Sequence, residues 1–98
     1  MILRPSERLS LGMCRKVQAR SSSGVAVLAS SKRAIEWDIS GAIYRAVFDG
    51  AITPQQGKEL FIAFHERWGL ISIFSDHNTK EECVARLIRL EREILDAI

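Results

Sequence analysis

The stretch from Ser30 to Gly50 constrains this chain more than any other. Ile35, Ile39, Ala42, Ile43, Ala46 and Val47 recur at spacings of three and four, so the periodicity predicts a helix with one apolar face. Ser30 or Ser31 is a candidate cap for its first turn, and Gly50 supplies a left-handed stop. Gly41 falls inside this helix, where glycine costs ~1 kcal/mol relative to alanine. Such a cost makes sense where another backbone passes close by, either the third helix or an extended segment. Each remaining apolar segment then needs a place against this helix.

The clearest local signal follows at Thr53-Pro54-Gln55-Gln56. Thr53 suits an N-cap, Pro54 the first helical position, and Gln56 the return bond of a capping box. A second helix is predicted to run to about Trp68 and end at Gly69, with Leu60, Phe61, Phe64 and Trp68 as its stripe. The short link Ala51-Ile52 makes the first two helices antiparallel neighbours. Thr79-Lys80-Glu81-Glu82 opens a third helix in the same way. Its apolar residues are Cys83, Val84, Leu87, Ile88, Leu90, Ile94, Leu95 and Ile98, with Glu82–Arg86 and Arg89–Glu93 as candidate four-residue ion pairs.

Upstream, Leu9, Leu11, Met13, Val17 and Ala19 alternate with period two, interrupted by Arg15. Leu9, Met13 and Val17 also fall four apart, so residues 8–20 have a helical alternative that would make a four-helix bundle. The turn cluster Ser21-Ser22-Ser23-Gly24, followed by β-prone Val25-Ala26-Val27-Leu28, favours a β-hairpin. Two strands alone are barely stable, and Leu70 to Ser75 is the natural third strand. The expected fold class is α+β, an N-terminal β-hairpin plus a short third strand packed on three α-helices. Residues 1–98 form a single small domain in this reading, with 1–7 frayed.

Charge is distributed unevenly. Residues 1–33 carry seven bases against Glu7, a net +6, while residues 34–98 carry seven bases and eleven acids, a net −4. This asymmetry suits either an attachment surface for an acidic partner or complementarity between the halves of the fold. No apolar run approaches the ~20 residues of a membrane span, and none of about 7–15 follows Arg4 and Arg8 as a signal peptide would require. Cys14 and Cys83 read as buried thiols of a cytoplasmic protein rather than a disulfide framework.

Two stretches together resemble a known family. Trp37-Asp38-Ile39-Ser40-Gly41-Ala42-Ile43-Tyr44-Arg45-Ala46 resembles the W-C-x-x-G-A-L-x-R-A pattern of a group of small bacterial proteins known only as domain of unknown function 6197. Ile71 to Asp76, followed by Thr79 and Glu82, is similar to that family's I-x-x-W-N-D loop and T-x-x-E cap. Ala19 to Ser31 fits its turn and extended stretch before the helix, and the resemblance covers roughly residues 13–97. Asp38, Phe74 and Ser75 stand where the pattern has Cys, Trp and Asn. The resemblance implies a topology and carries no activity.

Asp76-His77-Asn78 is the one cluster of acid, imidazole and amide, and an enzymatic reading would make His77 a base oriented by Asp76. Adjacent residues rarely orient one another in this way, and an Asx-type turn leading into the Thr79 cap accounts for the same residues. His65 reads as a boundary histidine. The two histidines and two cysteines lack metal-ligand spacing, so no metal or cofactor is expected. Trp37, Asp38, Tyr44, Trp68 and Phe74 are candidates to line a pocket, with Trp37, off the main stripe, either a partly exposed anchor or a core or boundary aromatic.

The leading expectation is a small non-catalytic interaction or regulatory protein acting by protein–protein contact. Trp37 and Tyr44 are its candidate partner-binding residues, and a homodimer is expected through Ile88 and Leu95 on the wide apolar arc of the last helix. The alternative is a nucleic-acid-binding accessory protein that meets phosphates with Arg15, Lys16, Arg20, Lys32 and Arg33.

Overall fold

A computed structural model describes residues 2–96. The elements in order are α1 (Pro5–Leu11), β1 (Ala19–Ser21), β2 (Ala26–Val27), β3 (Ala34–Trp37), α2 (Ile39–Phe48), α3 (Pro54–Trp68), α4 (Ile71–His77) and α5 (Lys80–Ile94). The fold is α+β among the described residues, with five helices and a three-stranded antiparallel sheet of order β2-β1-β3. Ile98, assigned above to the last helix, lies outside the described residues.

Pro5, Ser6 and Glu7, expected to lie in a frayed lead, form the first turn of α1. Pro5 takes the first position of α1, and the Arg4 backbone N–H donates to Glu7 Oε1 at 2.8 Å. The helix is held to the far end of α5: Ser6 N–H and Oγ both donate to Glu91 at 2.8 and 2.6 Å, and Arg4 pairs with Asp96. The long first strand is correspondingly absent. Leu9 is fully buried while Leu11 is exposed, so the odd positions share no face and β1 begins only at Ala19. The hairpin itself forms, with Ser21 N–H donating to Val25 O at 2.9 Å across the expected turn.

The third strand comes from a different part of the chain. Ala34–Trp37, expected as the start of the central helix, pairs with β1, leaving a bulge opposite Arg20 and Ser21. Ala34 and Trp37 are buried while Ile35 is exposed, so Ile35 is not on the α2 stripe. Asp38 then caps α2, its carboxylate accepting Gly41 N–H at 2.7 Å, in place of Ser30 or Ser31. Leu70 to Ser75, expected as a strand, leads into α4 instead. Ile71 and Ser75, one helical turn apart, are buried while Ile73 faces out, and Ser75 Oγ accepts Ile39 N–H at 3.3 Å. Tertiary docking beneath α2 thus overrides β-propensity in this segment.

Close approach accounts for Gly41. A Cβ there would lie 1.9 Å from Gln18 O, whose carbonyl also accepts Asp38 N–H at 3.1 Å. The close backbone is therefore the extended segment before β1, not the third helix. α3 and α5 begin as read: Thr53 Oγ1 accepts Gln56 N–H at 3.1 Å while Gln56 returns the bond at 2.9 Å, and Thr79 Oγ1 accepts Glu82 N–H at 3.2 Å. The two four-residue pairs on α5 are not formed, and Glu93 pairs with Arg67 of α3 instead. Leu9, Trp37, Ile39, Ile43, Leu60, Phe64, Leu87 and Leu90 are the large side chains of one core beneath α2.

Candidate interaction surface

The antiparallel pair α2 and α3 is set by a short turn. Gly50 takes φ +80°, Ala51 N–H bonds Ala46 O at 2.9 Å, and Ile52 buries its side chain beneath the turn. Gly57 lets the helices close up, since a Cβ there would meet Val47 Cγ2 at 2.8 Å. The low ground over Gly57 becomes a groove of about 520 Å3, lined by Tyr44, Val47, Phe48, Pro54, Phe61 and Ile62, with Lys58 its one charged residue. A second hollow of about 450 Å3 continues past Phe61 and Ile62, bounded by His65, Glu66, Leu70 and Ile71. Phe61 and Ile62 belong to both, so the two hollows adjoin along α3.

Large apolar side chains stand out into solvent along them. Tyr44 is 48 % exposed, Phe48 66 %, Ile62 47 % and Leu70 54 %. The Tyr44 ring rests on Phe61 at a centroid distance of 5.2 Å, which fixes its position without covering it. Sequence reading found Tyr44 and missed Phe48, Ile62 and Leu70. The available signal was the pair Tyr44 and Phe48, one turn apart and off the Ile39-Ile43-Ala46 stripe.

The other candidate anchors do not join this groove. Trp37 is a correction: it is only 3 % exposed, its indole Nε1 donates to Ala29 O at 3.2 Å, and the guanidiniums of Arg8 and Arg45 lie 4.9 and 5.8 Å from its ring centroid. Both arginines donate to Asp49 Oδ2 at 2.9 Å, so a buried and a half-buried cation share one carboxylate oxygen. Burial first, and then the charge of Arg45, push the Arg8 pKa down. Ile88 on α5 and Leu95 just past its end are half-buried, with Leu95 packed against the core, and neither lines the groove.

The five residues expected to share a pocket are also dispersed. Trp37 and Asp38 sit beside β1, Tyr44 lies on Phe61, and Trp68 and Phe74 pack around Phe64. Of the basic set, Arg15 donates to Asn78 O at 2.9 Å and Arg20 to Gly24 O at 2.9 Å. The Lys16 backbone N–H donates to Asp76 Oδ1 at 3.0 Å, with Lys16 at φ +72°. Lys32 and Arg33 are exposed between β2 and β3.

Asp76 therefore serves a loop amide, Asn78 Nδ2 donates to Phe74 O at 2.9 Å, and His77 points to solvent. Burial pushes both cysteine thiols up to about 11. Among the described residues, no group of three or more His, Cys, Asp or Glu is placed to hold a metal ion, and no helix is long and apolar enough to cross a membrane. Comparison with protein families, with curated proteins and with solved structures gives no significant match.

Proposed function

We propose that this is a small non-catalytic interaction or regulatory protein of the cytoplasm, acting by protein–protein contact through the α2–α3–α4 groove. One observation carries the reading: Tyr44, Phe48, Ile62 and Leu70 are exposed along two adjoining hollows. Contiguous exposed apolar surface is uncommon on small proteins and marks contact sites. The basic N-terminal third supports the nucleic-acid reading less well, because the guanidiniums of Arg15 and Arg20 already hydrogen-bond the chain's own carbonyls.

The test is affinity capture from the native cell with wild type and with Phe48→Asp, each first shown to melt alike. A protein retained by wild type and lost from the variant supports the reading. Identical retention by both overturns it.

A further inference from the structure

The outer face of α3 carries a charge pattern that is its own complement. Lys58, Ile62 and Glu66 stand four residues apart and are all exposed, so they form one ridge of the helix. Lys58 and Glu66 lie ~6 Å to either side of Ile62 along the axis. Neither is in an ion pair among the described residues. If the same ridge of a second chain is laid alongside in the opposite direction, with Ile62 at the centre, Lys58 of each chain comes level with Glu66 of the other.

The apolar flanks follow the same symmetry. Tyr44 and Phe48 border the half of the groove holding Lys58, and Leu70 borders the half holding Glu66. A two-fold rotation beside Ile62 therefore sets the Tyr44–Phe48 half of one chain against the Leu70 half of the other. Such a contact is isologous, the commonest arrangement of soluble oligomers.

We infer that the occupant of the groove is a second copy of this chain, packed α3 against antiparallel α3 about a two-fold axis at Ile62. The inference rests on the groove being an interaction surface, and it moves the expected homodimer from Ile88 and Leu95 to α3.

Sedimentation equilibrium over a range of concentrations tests it, using wild type, Lys58→Glu, Glu66→Lys and the double reversal. The wild-type mass should rise from 11.0 kDa toward twice that value. Each single reversal should weaken self-association by on the order of tenfold at low salt, and the double reversal should restore it. A mass that stays at 11.0 kDa up to high concentration overturns the inference, as does a double reversal no better than its parents. If Phe48→Asp still abolishes capture of another protein while the mass stays monomeric, the groove remains an interaction surface and only the second copy is wrong. As a check independent of charge, Ile62→Cys should cross-link to itself on mild oxidation while Ile88→Cys should not. Cys14 and Cys83 stay silent there, being buried with thiols pushed up to about 11. Failure of Ile62→Cys to cross-link counts against the two-fold placement.

Discussion

Two regions of this molecule treat burial in opposite ways. Where α1 meets α5, β3 and α2, polar groups are buried and nearly all are paired: Asp49 Oδ2 accepts from both Arg8 and Arg45, Glu91 accepts both donors of Ser6, and Trp37 finds Ala29 O, while Arg8 Nε is left without a partner. Along α2, α3 and α4, apolar groups are exposed and unsatisfied, with Tyr44, Phe48, Ile62 and Leu70 in solvent. The fold is locked at the first region, and the second is left open. The difference teaches where substitutions should cost stability and where they should cost association.

The largest expected effect is at Asp49. Its removal in Asp49→Ala leaves Arg8 and Arg45 facing one another with no counter-charge, in a place where the side chains of both are mostly buried. Breaking such a group should cost ~3–5 kcal/mol, read as a lower urea midpoint. A loss under about 1 kcal/mol would mean that the cations relax into solvent. Gly41→Ala comes next. The added methyl meets Gln18 O, a backbone atom anchored by Asp38 N–H, so ~1–3 kcal/mol should be lost as α2 and the extended segment separate.

Glu91→Gln should have a smaller effect with a distinctive pH signature. Burial, only partly offset by the hydrogen bonds from Ser6, pushes the Glu91 carboxyl above its ordinary 4.5, and burial likewise raises Asp38 above 3.8. A carboxyl raised in the folded state binds its proton more tightly there than in the unfolded chain. The stability it contributes is complete below its unfolded pKa and is lost as pH rises through the folded one. Stability measured from about pH 4 upward should therefore fall more steeply in wild type than in Glu91→Gln, whose amide oxygen can accept Ser6 N–H while its NH2 donates to Ser6 Oγ. Parallel pH profiles would show that Glu91 is not the titrating group. The smallest stability effect should be at Phe48→Asp, within about 0.5 kcal/mol of wild type.

The parts of the fold legible in sequence are those set by local chemistry. Thr53-Pro54 with Gln56, and Thr79 with Glu82, fix helix starts through hydrogen bonds spanning three residues. The turn after Ser21 and the close approach to Gly41 were equally readable. The rest was decided at a distance. Leu70 to Ser75 has strand composition, but the β1 edge of the hairpin is occupied by Ala34–Trp37, and α4 docks through Ile71 and Ser75. A helical stripe leaves Trp37 to one side, open to a partly exposed or a core position, whereas it belongs to a strand that buries it. In the candidate site, Tyr44 was legible as an aromatic off the α2 stripe. Phe48, one turn on from Tyr44, carries the same signal, whereas the exposure of Ile62 and Leu70 depends on how α2, α3 and α4 pack.

The central claim is that the outer face of α3 serves association and not the fold. It is tested most directly by measuring urea unfolding and sedimentation on one preparation of Ile62→Asp beside wild type. The account predicts an unchanged unfolding midpoint at concentrations where both proteins are monomeric, together with loss of the concentration-dependent rise in mass. A variant that unfolds as early as Asp49→Ala, or that associates as wild type does, would contradict it.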